Sequence, residues 1–183
     1  MGQRWERLRS ELLADFRFFR VRRDTNRHPR HQTALDFFVL EFPHWVNIIP
    51  ITPQGEVVFI RQFRHGAREV TLEVPGGIVD PGETPQAAAL RELHEETGFT
   101  APDAVELGWV HPNPAIQANR CYTFLAENVE WTGGQRQDGS EAIEVVLAPL
   151  REVPQLFAEG AITHALVVTA FHLYRQYKGR ASV

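Results

Sequence analysis

Apolar positions along this chain follow two rhythms. Glu69 to Val74 (EVTLEV) alternates polar and apolar residues, the period of a strand with one buried face. Trp45 to Thr52 and Val57 to Phe63 are blocks of branched and aromatic residues that read as strands, joined by a turn at Pro53, Gln54 and Gly55. Val105 to Val110, Tyr122 to Ala126 and Ala142 to Leu147 read the same way. Between Pro85 and Thr97 the pattern becomes helical, with the strong helix formers Ala87, Ala88, Ala89, Leu90 and Leu93. Both ends are marked: Thr84 is a good N-cap, Pro85 fits the first helical position, and Gly98 fits the residue past the end. Leu90 and Leu93 point toward a core. Leu150 to Ala158 and His164 to Tyr177 read as terminal helices, with Gly160 between them and Thr163 as a cap.

The first 43 residues stand apart. Residues 4–14 predict a short helical turn, and Phe16 to Arg23 and Ala34 to Phe42 predict two strands. Residues 24–33 are polar, contain Pro29, and predict a hairpin loop. The chain therefore divides into an N-terminal arm, 1–43, and a main domain, 44–183. Strands, one helix, more strands and terminal helices predict an α/β (α+β) sandwich.

Composition narrows the function. At 183 residues and 43% hydrophobic, the chain can build a sizeable core. A net charge of -4 argues against a nucleic-acid partner. No segment approaches the ~20 apolar residues of a membrane span. The charged N-terminus lacks the apolar run of a secretory signal, and the single cysteine, Cys121, fits a reducing compartment, so a cytoplasmic location is expected.

The helix carries the candidate chemistry. Glu92 and Glu96 are i,i+4 neighbours and Glu95 lies one turn from Glu92, so three carboxylates share a face. Like charges so placed destabilise a helix by roughly 0.2–0.5 kcal/mol per pair. A single nearby cation, Arg91, cannot neutralise three acids, but a divalent one can, and oxygen-only ligands favour Mg²⁺ or Mn²⁺ over Zn²⁺. The competing reading is a solvated acidic face.

The run from Gly77 to Phe99 decides between them. Gly77, Glu83, Arg91, Glu92, Leu93, Glu95, Glu96, Gly98 and Phe99 match every fixed position of the Nudix box, G-x5-E-x7-R-E-U-x-E-E-x-G-U. The chain thus resembles the Nudix hydrolases, which cleave nucleoside diphosphates linked to another moiety with Mg²⁺ or Mn²⁺. The resemblance implies a mixed sheet between helices. It also implies that Glu92 and Glu96 are principal metal ligands with Glu95 close by, that the Gly76 carbonyl is a backbone ligand, and that Arg91 orients a glutamate. Glu83 is an outer ligand or a brace for the loop.

Other segments resemble the ADP-ribose pyrophosphatase and nucleoside diphosphate sugar hydrolase group. Residues 138–144 resemble a loop of that group that carries acids before a strand. There Glu141 matches a metal ligand, while the position of the general base falls on Gly139, which has no side chain. Glu141 itself, Asp138 or Glu95 could do the base's work, and Glu141 is favoured. Arg61 and Arg64 in RQFR match a segment whose arginine contacts substrate; the alternative is a surface ion pair with Glu69 or Glu73. Glu73 matches the lead-in LExPxG and could hold an arginine or substrate. Trp45 could stack on a nucleobase or be core.

Pro114, sixteen residues beyond Gly98, matches a marker of members acting on ADP-ribose. Ala115 and Asn119 depart from that group's Gly and downstream Glu, so a GDP-linked or other nucleoside diphosphate hexose stays open. The arm implies a homodimer, as in that group. A reading of another class, a Nudix-like sensor that binds nucleotide sugars without cleaving them, fits less well because every box acid is present.

Overall fold

The computed structural model describes residues 2–136 and 142–181, and the chain forms two compact units. The first comprises Met1–Pro43 and His111–Arg120. The second comprises His44–Val110 and Cys121–Val183.

The first unit is a three-stranded antiparallel sheet in the order β1 (Glu6–Asp15), β2 (Arg20–Arg27), β3 (Ala34–Glu41). The helical turn expected over residues 4–14 is instead strand β1. Its Glu, Arg and Leu residues are good helix formers, but opposite charges across the ladder outweigh that weak preference. Glu6 faces Arg27, Glu11 faces Arg23 and Asp15 faces Arg20, with ion-pair distances of 3.0, 2.7 and 3.0 Å. The second strand begins at Arg20 rather than Phe16, because Phe16 N–H donates to the Phe19 carbonyl in the turn from β1. That strand also runs on to Arg27, so the connection to β3 is shorter than expected. Residues 111–120 add to this unit through Leu40: its N–H donates to Ile116 O and its carbonyl accepts from Ala118 N–H.

The second unit is built on a mixed sheet in the order β12 (Glu144–Pro149), β5 (Glu56–Arg64), β4 (Trp45–Ile51), β10 (Cys121–Glu127), β9 (Val105–Val110). β6 (Glu69–Glu73) pairs with β5, and β7 (Gly76–Ile78) pairs with β4. The β4–β10 pair is parallel and the others are antiparallel. Side chains on successive strand residues go to opposite faces, and two cores result. Ile49, Ile51, Val57, Phe59 and Leu125 pack with Val167, Ala170 and Phe171 of α3 (Ala165–Ala181). Val46, Ile48, Val58 and Phe124 pack with Ala88, Ala89 and Leu93 of α1 (Pro85–Thr97). The sheet lies between helices, as expected.

α1 has the ends its sequence announces. Thr84 accepts from Ala87 N–H, Pro85 opens the helix, and Gly98 closes it in the left-handed region at φ 73°. The segment 150–158 is a 3₁₀ turn, Leu150–Glu152, followed by α2 (Val153–Ala158). The cap of α3 is His164 rather than Thr163: the His164 carbonyl accepts from Val167 and Val168 N–H. Besides β7, two further short strands depart from the sequence reading. β8 (Phe99–Thr100) and β11 (Glu130–Trp131) pair with each other.

Candidate active site

The acidic face of α1 meets β7. Glu96 is 3% exposed, and its Oε2 accepts from Gly76 N–H at 2.9 Å. A Cβ on Gly77 would collide with the Glu92 carboxylate, so that carboxylate rests on the Gly77 backbone. A Cβ on Gly76 would run into the Val46 carbonyl. The two glycines let β7 lie between β4 and the helix acids with no side chain in the way.

Arg91 organises the remaining acids. Its Nε and Nη2 donate to both oxygens of Glu83 at 3.0 Å each, Nη1 donates to Glu92 at 2.8 Å and Glu95 at 2.9 Å, and Nη2 also reaches Ile78 O at 2.9 Å. Those bonds, above all the Arg91 bond, hold the Glu83 carboxyl below its usual range despite burial. The same contacts, Glu83 first, push the Arg91 guanidinium upward. Glu83 is tied further by Asp80 N–H, so it braces the loop before α1.

Glu83, Glu92, Glu95 and Glu96 outweigh the one guanidinium, leaving a local excess of negative charge. All their donors are oxygen, which fits a hard divalent cation. Among the described residues no three His, Cys, Asp or Glu stand close enough together to hold a metal ion as they are placed. Arg91 lies between Glu92 and Glu95.

Beside β7 opens a cleft of about 520 Å³ lined by Trp45, Arg64, Glu73, Gly76, Gly77 and His164, among others. Glu73 is buried beneath it at 2% exposure. Arg64 grips it through Nε and Nη2 at 2.7 and 2.8 Å, and Thr71 Oγ1 donates at 2.5 Å. Burial drives the Glu73 carboxyl up, but the bonds and charge of Arg64, with Thr71, outweigh it and the net shift is downward.

The structure thus gathers Trp45, Arg64, Glu73 and Gly76 at one cleft, and Arg91, Glu92, Glu95 and Glu96 against its β7 edge. Arg61 is elsewhere: it pairs with Glu144 at 3.2 Å on the neighbouring strand and does not line the cleft. Pro114 belongs to the first unit. Glu141 and Asp138 lie outside the described residues. The chain leading toward them is anchored on the C-terminal turn of α1. Arg136 N–H donates to Glu95 O at 2.8 Å, and Gln135 Nε2 donates to Glu96 O at 2.6 Å. These bonds satisfy carbonyls that a helix end leaves open.

His164 and Asn47, both lining the cleft, were not anticipated. Asn47 Nδ2 donates to Leu166 O at 3.3 Å, drawing the first turn of α3 to the cleft. A lone histidine or asparagine at an element's edge carries no sequence signal. The parity of β5 does: Arg61 and Arg64 are three apart on a strand and must face opposite sides.

The NUDIX domain family pattern matches residues 42–171. Over 141 residues the chain is 29% identical to ADP-ribose pyrophosphatase of Bacillus subtilis, covering 76% of each. It is 30% identical over 139 residues to ADP compounds hydrolase NudE of Escherichia coli, covering 75% of this chain and 74% of that one. The crystal structure of an ADP compounds hydrolase superimposes with a TM-score of 0.85 at 26% identity, over 99% of this chain and 98% of that chain.

Proposed function

The chain belongs to the Nudix hydrolase family, and from that premise we propose that it hydrolyses the diphosphate of ADP-ribose or a closely related nucleoside diphosphate sugar. Water adds to one phosphorus, the bridging P–O bond breaks, and a nucleoside monophosphate and a sugar phosphate leave. The observation that carries this reading is the complete set of box acids, set by Arg91 and the two glycines at the edge of a cleft that also holds Arg64. Similarity to enzymes named for ADP-ribose and ADP compounds supports the substrate class.

Glu92, Glu95 and Glu96, with the Gly76 carbonyl and Glu141, would hold Mg²⁺ or Mn²⁺. Such a cation neutralises phosphate charge and makes a bound water acidic enough to act as nucleophile near neutral pH. Arg91 keeps Glu92 and Glu95 in place through two bonds from one nitrogen. Glu141 would take the proton of the attacking water, with Glu95 as the other candidate. Arg64 presents a guanidinium to the phosphates, and Trp45 offers an apolar surface to the base.

The first unit supports a homodimer. On one face of its sheet Leu12, Leu35 and Phe37 are 56%, 46% and 39% exposed, apolar side chains left uncovered in one chain. No helix among the described residues is long and apolar enough to cross a membrane.

Incubation with ADP-ribose and Mg²⁺, beside a panel of GDP- and ADP-linked hexoses, tests the reading. AMP release from ADP-ribose is the expected result. Faster cleavage of a GDP-linked hexose reassigns the substrate. Binding without cleavage in both Mg²⁺ and Mn²⁺ makes the protein a sensor.

A further inference from the structure

Among the described residues, His164 is the one group lining the cleft that the reaction above leaves unused while also carrying an unmet bonding need. It caps α3, and its ring is 31% exposed, yet its Nδ1 is buried. That nitrogen has no hydrogen-bond partner among the described residues. The nearest acid is Glu73, whose Oε2 lies 3.8 Å away, within ion-pair range but beyond a hydrogen bond. The large majority of buried side-chain nitrogens are paired, so an unpaired one at a cleft points to a partner that the protein's own groups do not supply.

The surrounding charges make the imidazole responsive to an anion. Glu73 on β6 faces it and favours the imidazolium; Arg64 on β5 opposes it. His65, from the turn after β5, lines the same cleft, and β4 brings only the uncharged Trp45, Val46 and Asn47. The helix N-terminus at His164 adds a partial positive charge. Burial first, and Arg64 next, outweigh Glu73, and the ring sits below its ordinary range in the free protein. With His164 neutral, Arg64 and Glu73 cancel. An incoming diphosphate brings the negative charge that would let the ring keep a proton.

We propose that His164 is a second phosphate-gripping residue: as an imidazolium steered through Nδ1 by Glu73, it offers its Nε2–H to the substrate's diphosphate beside Arg64. The proposal rests on the reading of this cleft as a diphosphate site. It predicts that binding takes up a proton. Affinity is then full below the free-protein pKa of His164 and declines as pH rises through the higher pKa of the complex.

The probe is ADP-ribose with the full-length protein kept free of divalent metal. Its diphosphate is esterified at both ends and does not titrate near neutral pH. NMR of the assigned His164 ring should show its midpoint rise by about one unit on saturation, equivalent to about tenfold in affinity. Calorimetry from pH 5 to 8.5 should show the wild-type Kd weaken about tenfold, and this slope should be lost in His164→Asn. Asparagine is a favoured cap, so α3 should persist in the variant; if it does not fold, the wild-type NMR titration decides alone. An unmoved midpoint, or equal slopes in the two proteins, overturns the inference. Turnover of ADP-ribose with Mg²⁺ is measured alongside. Turnover with an unmoved His164 sinks this inference only, while a shifted His164 without turnover upholds it and sinks the hydrolase reading.

Discussion

The carboxylate of Glu96 accepts a hydrogen bond from the backbone N–H of Gly76, so the last acid of the α1 face is locked to the strand that borders the cleft. Glu96 is buried at 3% exposure. Glu96→Gln keeps the shape and removes the charge. The expected result is a loss of turnover of at least ~10²-fold with unchanged circular dichroism, the size seen when one electrostatic stabiliser is removed from a site. Near-normal turnover would strip Glu96 of its metal-binding role.

Gly76 and Gly77 are neighbours with opposite sensitivities. At Gly76 a methyl group meets the Val46 carbonyl, which is fixed in the β4 ladder and cannot yield. Gly76→Ala should cost about 1–3 kcal/mol in denaturant unfolding, the usual range for overpacking. At Gly77 the nearest atoms the methyl meets are the end of the Glu92 side chain, which can shift by giving up its Arg91 bond while the backbone stays in place. Gly77→Ala should therefore leave the unfolding midpoint almost unchanged while turnover falls at least ~10-fold. Equal stability losses in the two variants would contradict this division.

The same contrast explains what the sequence made legible. Thr84, Pro85 and Gly98 act locally, on bonds within a few residues, so α1 and its acid face could be read directly. The three strands of the first unit were not equally legible. β1 carries helix-forming residues and becomes a strand through its ladder with β2, where Arg20, Arg23 and Arg27 face its acids. β7 hides in a Pro-Gly-Gly break because its role depends on the closeness of Val46 and Glu92. His164 acquires meaning only when α3 brings it within reach of Glu73, from the far end of the domain.

Arg61 and Arg64 looked alike in sequence and part company on β5. Arg61 faces Glu144, and both are exposed. Exposed pairs of this kind contribute about 0–1 kcal/mol. Arg61→Ala should leave KM for ADP-ribose within about twofold and stability within about 1 kcal/mol. Arg64→Ala should raise KM at least ~10-fold, because a guanidinium hydrogen bond to a phosphate is among the stronger polar contacts. It should also cost about 1–3 kcal/mol of stability by leaving the Glu73 carboxylate short of its partner. Arg64→Lys should recover part of the stability and less of the KM, since an ammonium cannot match the two-point grip on Glu73. A larger KM effect at Arg61 than at Arg64 would place the phosphates on the other face of β5.

Glu73 should also leave its mark on acid stability. Its carboxyl is held below the ordinary value of 4.5 in the folded protein, with burial opposing and Arg64 and Thr71 prevailing. For a carboxyl whose folded pKa is depressed, the unfolded chain binds the proton more readily. Its contribution is therefore complete above about pH 4.5 and is lost as pH falls through the lower folded value. Urea unfolding from pH 7 down to pH 3 should show wild type losing stability steeply below pH 4.5. Glu73→Gln should be less stable at pH 7, where Arg64 loses its charged partner, and should follow a shallower slope below pH 4.5. Parallel curves for the two proteins would mean that the Arg64 pair contributes equally in both states, and that Glu73 is not what fixes Arg64 at the cleft.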